Sequence, residues 1–158
     1  MRLLNSICKV IASSYAGVPV HIEEVPNGFK RDCFLVTLAT DSSSLKNANV
    51  YEDNPLFQIV YFGKRNEANQ VLAEELYKVK EELKALFLLC KVVPVIPLEN
   101  VEEKPRYAKI ESYTSEVRLD EGAVYTKIAL SFTEDTPKAD NHELITEVDL
   151  ITETKTNG

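Results

Sequence analysis

Residues 56–88 read LFQIVYFGKRNEANQVLAEELYKVKEELKALFL, and this stretch decides the fold. Leu56 to Phe62 is an apolar and aromatic run with Gln58 as its one polar member, the composition of a strand shielded from water. Gly63 breaks it. From Asn66 to about Leu88 the period changes, and Val71, Leu72, Leu76, Val79, Leu83 and Leu86 fall on one stripe at helical spacing. Asn66 has the side chain of an N-cap. Glu74 stands four residues before Lys78, the favourable order for an ion pair on a helix. An apolar strand followed by an amphipathic helix implies a sheet on which that helix lays its stripe.

Upstream, Leu3, Leu4, Ile7, Cys8 and Ile11 recur at helical spacing, so residues 2–14 are expected to form a first helix, ended by Gly17 and Pro19. Val18, Val20 and Ile22 alternate as in a short strand. Val25-Pro26-Asn27-Gly28 is a turn, because proline presets φ and Asn-Gly tolerates the left-handed region. Cys33 to Thr40 is a β-rich run with Phe34, Val36 and Leu38 on one face. Asp41 to Asn54 is polar, either a long excursion or the tip of a long hairpin. A segment of that length without structure is uncommon in a compact domain and often functional.

Downstream, Val92 to Leu98 reads as an edge strand or an irregular one because it carries two prolines. Arg106 to Leu119 and Ala123 to Phe132 are two strands joined by Asp120-Glu121-Gly122. Tyr107, Lys109, Glu111 and Tyr113 are expected on one face of the first. Val124, Thr126, Ile128, Leu130 and Phe132 alternate with Tyr125, Lys127, Ala129 and Ser131 in the second. Gly17, Gly28, Gly63 and Gly122 fall at junctions where a positive φ is useful. The whole reads as α+β: a mostly antiparallel sheet, an N-terminal helix and one long helix packed on one face, and a C-terminal arm. The expected division is a domain over residues 1–133 and an acidic arm over 134–158.

The chain has 158 residues and a net charge of −7, with 18 basic and 25 acidic side chains. That balance argues against gripping nucleic acid, which needs a basic surface. The charge is uneven. Residues 134–158 hold seven acids against Lys138 and Lys155, a net of −5, which leaves −2 for the other 133 residues. The arm also holds an apolar patch, Leu144, Ile145, Val148, Leu150 and Ile151. Its composition permits disorder, and order there would require something to dock on.

A search for chemistry finds none. Gly63-Lys64 follows a strand as in a phosphate loop, but Gln58 stands where that motif needs glycine, and Arg65 where it needs serine or threonine. His21 and His142 lack metal-ligand spacing to a second histidine or a cysteine. Glu23-Glu24 and Glu102-Glu103 are adjacent pairs, which on a strand point to opposite faces. Ser42 to Ser44 have no nucleophile elbow. Cys8, Cys33 and Cys90 form no CxxC pair and sit among apolar neighbours, so all three are expected to be buried thiols in a reducing compartment. The N-terminus is not that of a signal peptide, and no apolar run is long enough to span a bilayer. No enzyme, cofactor or metal is expected.

Glu24 to Val36, EVPNGFKRDCFLV, resembles a segment of tail terminator proteins from phages of Gram-positive bacteria: a glycine turn with a lysine, then Cys-Phe and an apolar strand. Phe57-Gln58-Ile59-Val60-Tyr61-Phe62 resembles that family's strand before its long helix. The order of parts agrees over residues 3–133. Asn27 stands where the family usually has glutamine and Asp32 where it has proline, and 134–158 have no clear counterpart. The resemblance implies a non-enzymatic ring, typically a homo-hexamer, on the end of a tail tube. Such a ring stops polymerisation and joins the tail to a neck or connector protein, or closes a headless tail-like bacteriocin. In a contractile tail it also meets the sheath protein. The implied location is the particle, assembled in the bacterial cytoplasm. The alternative is a soluble assembly factor or chaperone not retained in the particle. A ring needs an interface that closes on itself. The expected contact residues are Lys46, Asn49, Tyr51 and Glu52 of the polar segment, with Leu144, Ile145, Val148, Leu150 and Ile151 of the arm adding a strand or short helix to a neighbour.

Overall fold

The long strand–turn–helix passage builds the centre of the molecule. In the computed structural model, which describes residues 1–136, Leu56–Phe62 forms β5 and Ala73–Lys84 forms α2, continued by a π-helical turn over Ala85–Leu89. The helix starts seven residues past Asn66, its expected beginning, and two past the first residue of its apolar stripe. Asn66 caps a tight turn instead: its Oδ1 accepts the Gln70 amide at 3.0 Å, and Asn69 takes φ +60°. Val71 lies before the helix, wedged against Gly63 and Gly122. Leu76, Val79 and Leu83 are the buried part of the stripe, Leu86 is partly buried and Leu72 is exposed, while Phe87, outside the expected stripe, is fully buried.

The remaining elements are α1 (Arg2–Ser14), β1 (Val20–Ile22), β2 (Cys33–Thr40), β3 (Ser43–Asn47), β4 (Val50–Asp53), β6 (Val92–Val95), β7 (Arg106–Arg118) and β8 (Ala123–Asp135). The fold is α+β with a mixed, mostly antiparallel sheet. The exception is β1, which is shorter than expected and pairs parallel to β2. Both helices pack into one core with Phe34, Val36, Ile59, Tyr61, Val124, Ile128 and Leu130 of the sheet. The rings of Tyr15, Phe34 and Tyr61 stack through it at centroid separations of 4.8 and 5.0 Å.

The polar segment Asp41–Asn54 is the tip of a long hairpin. β2 pairs with β5 and β3 with β4, and the register is unchanged from Thr40↔Leu56 to Leu45↔Tyr51. The same continuity holds against β8, which pairs with β5 as far as Leu56↔Ala129 and with β4 from Asp53↔Phe132. Asn54 and Pro55 make the joint, where the Leu130 amide donates to Pro55 O at 2.9 Å. β8 therefore carries the core sheet and the hairpin tip on one rail, and it runs three residues past the expected end at Phe132. β7 lies along its other edge, with β6 outside β7.

Three further expectations change. β7 is bulged at Glu111, between Ile110↔Leu130 and Ser112↔Ala129. One extra residue reverses the faces beyond it, so Tyr107 points outward while Tyr113 packs on the core, its buried hydroxyl without a hydrogen-bond partner among the described residues. β6 stops at Val95, short of Leu98. Cys33 is buried and Cys8 half-buried, but Cys90 is exposed just past the π-helical turn, where the chain has left the core. Burial pushes the Cys8 thiol up to about 11 and raises Cys33 as well, so neither is a reactive thiolate.

Of the junction glycines, Gly28 and Gly122 take φ +70° and +63° as expected. Gly63 does not have a positive φ and is needed for a different reason. A Cβ there would lie 2.4 Å from Val71 Cγ1. The Gly63 amide donates to Gly122 O at 2.9 Å, and Arg31 clamps both ends by donating to Gly63 O and Gly122 O, each at 2.9 Å.

Candidate assembly interface

The hairpin tip is built from side chains that the sequence scatters across the chain. Tyr51 and Glu134 sit directly opposite in the β4–β8 register, and Tyr51 Oη donates to Glu134 Oε2 at 2.8 Å. The other Glu134 oxygen accepts from Arg2 Nη1 at 3.0 Å and lies 3.7 Å from Arg106. Arg2 and Arg106 both also pair with Glu103, and both lie over the Phe132 ring. Arg2 Nε donates to Ile96 O at 2.8 Å. The pair of guanidiniums thus pins α1, the loop after β6, β7, β8 and the hairpin together. Arg2 holds the Glu103 carboxyl below the usual carboxylate range.

The four expected contact residues divide. Tyr51 and Glu52 are turned to their own chain. Glu52 pairs with Lys46 and accepts from Ser131, and the Lys46 ammonium lowers its pKa. Tyr51 is half-buried against Glu134. Lys46 and Asn49 are exposed at the tip. The sequence reading missed Leu45, a large apolar side chain 75% exposed on β3. Its signal was present, a lone leucine in a polar run. The five arm residues, Leu144, Ile145, Val148, Leu150 and Ile151, lie outside the described residues, as does His142. The arm's point of departure is described: the Thr136 amide donates to Asn49 O at 2.8 Å and its hydroxyl to Ala48 O at 3.2 Å. Tip and arm therefore meet.

A second surface lies at the β6 edge of the sheet. α1, β6 and the start of β7 line an apolar groove of about 510 Å³ with Val10, Pro94, Ile96, Pro97, Pro105 and Tyr107. Among the described residues no cluster of His, Cys, Asp and Glu is placed to hold a metal, and no helix is long and apolar enough to cross a membrane. His21 lies on β1 at the sheet edge. What the arrangement offers is backbone edges, a polar tip that carries the exposed Leu45 and a groove, the materials of protein–protein contact.

No curated protein matches the chain. A family model described as phage tail terminator protein matches residues 2–141.

Proposed function

The chain belongs to the phage tail terminator family, and on that premise we propose that copies of it close into a ring on the last ring of a tail tube. Membership supports a role in terminating the tube, contact with the tube and a structural part in the tail. The observation that carries the reading is the extent of the match, which takes in both helices, every strand and the hairpin tip.

Closure by rotation requires two different patches on each copy that fit one another. The projecting tip, with Leu45, Lys46 and Asn49, supplies one. The groove between α1 and β6 supplies the other. Tyr51 and Glu52 act indirectly, by fixing the tip to β8. The ring is a hexamer; one face sits on the tube protein and the opposite face receives a neck or connector protein, or closes a headless tail. In a contractile tail its rim meets the sheath.

Mass spectrometry of purified particles tests this. The ring requires the chain at a fixed small number of copies per tail. Its absence from finished particles would replace the ring with a soluble assembly factor that acts and departs.

A further inference from the structure

Two of the sheet's outer strands, β6 and β3, are finished differently. On β6, the Ile110 amide donates to Lys91 O at 2.8 Å, so Lys91, Val93 and Val95 face β7 and the intervening Val92 and Pro94 turn their backbone groups outward. Proline at an outward position removes a donor and blunts that edge. β3 has no such device. The Asn54 amide donates to Ser42 O at 2.7 Å, so Ser42 and Ser44 face β4, and Ser43 and Leu45 turn their N–H and C=O groups away. Among the described residues no second strand pairs with β3, and all five of its side chains are exposed. An open edge of this kind is a template for another strand.

The sequence contains a segment suited to it. Leu144, Thr146, Val148 and Leu150 alternate with Ile145, Glu147 and Asp149, and β-branched residues are frequent throughout. That is the pattern of a strand with one apolar face and one largely acidic face. β3 alternates in the same sense. Leu45 lies on the face it shares with Tyr51, while Lys46 lies on the face of Glu52, its side chain 54% exposed. A strand added there sets leucine and valine beside Leu45 and carboxylates beside Lys46.

We propose that residues 144–150 of one copy add as a strand to the β3 edge of the neighbouring copy. This deepens the ring reading above and rests on it. The neighbour is favoured over the same chain by the way the arm departs. Thr136 is bonded to the tip itself, so the chain is sent past its own hairpin. Pro137 follows, which holds Thr136 extended, and residues 137–143 separate it from the segment 144–150. Extended, those residues span roughly 20 Å, the scale needed to reach an adjacent copy.

The test uses the full chain with Cys90→Ser, which removes the exposed native thiol. Copies carrying Leu45→Cys are mixed with size-distinguishable copies carrying Val148→Cys and treated with a short bis-maleimide. The expected result is a covalent mixed pair, well in excess of that formed when Lys64→Cys replaces Leu45→Cys. No excess, or a link that forms only within a chain carrying both substitutions, would overturn the proposal. Either result, in a protein still found at fixed number per tail, removes the arm contact and leaves the ring standing.

Discussion

Tyr51 and Glu134 are 83 residues apart in sequence and directly opposite in the sheet, joined by a 2.8 Å hydrogen bond from phenol to carboxylate. Because Arg2 takes the other carboxylate oxygen at 3.0 Å, one side chain ties the hairpin tip, the last strand and the first helix. Tyr51 is thereby committed to holding the tip in place.

Tyr51→Phe keeps the ring and removes that bond. The expected loss is about 1 kcal/mol, the usual net worth of a hydrogen bond in a partly exposed site. Urea unfolding followed by circular dichroism measures it. Unchanged stability would show that the tip is not held through this contact.

Alkaline pH acts on the same bond. The Glu134 carboxylate, with help from burial, pushes Tyr51 up to about 12 from a usual 10, and burial together with Asp32 and Glu82 raises Tyr61 and Tyr15 further. A raised folded-state value contributes stability that is complete below the unfolded value and is lost as pH climbs through the folded one. Stability should therefore hold from neutrality to about pH 10 and fall above it. Glu52 and Glu103 are lowered, by Lys46 and Arg2 first, so their contribution is complete above the ordinary carboxylate range and is lost on acidification. Denaturant midpoints across pH, with the phenolate absorbance followed in parallel, check both arms. An alkaline loss beginning near neutrality would contradict the assignment.

Gly63 and Gly122 share one obstacle, the Val71 side chain. An added Cβ would meet it at 2.4 Å and 2.5 Å respectively. Gly63→Ala should cost about 1–3 kcal/mol by overpacking. Combined with Val71→Ala it should cost less than the two single changes together, because the obstacle is gone. Simple additivity in the double-mutant cycle would place the strain elsewhere.

Gly28 offers a cleaner backbone test. It takes φ +70° in the Pro26–Phe29 turn, and none of the described residues lies within 4 Å of a Cβ placed there. Gly28→Val should cost about 1 kcal/mol or more from conformation alone, and Gly28→Asn much less, since asparagine tolerates this region. Equal thermal midpoints for the two variants would remove the argument.

Local signals carried most of the fold. The period of Leu3 to Ile11, the apolar runs 33–40 and 56–62 and the turn at Gly122 are properties of neighbours in sequence, and each became the expected element. What was illegible depends on distant partners. The late start of α2 follows from Val71 being taken into the gap between Gly63 and Gly122. The reversal of Tyr113 follows from a bulge that leaves no mark on the alternation before it. That Tyr51 and Glu52 turn inward while Lys46 and Asn49 stay exposed could not be read from the segment itself, because Glu134 and Ser131 lie about 80 residues away. Leu45 was visible as a lone leucine in a polar run, but its exposure is a property of the finished edge.

The length of the tail tube tests the central claim most directly. In particles assembled without this chain, electron microscopy should find a broad distribution of tube lengths extending well beyond normal, with uncapped ends. Tails of normal length and normal capping in its absence would contradict the account.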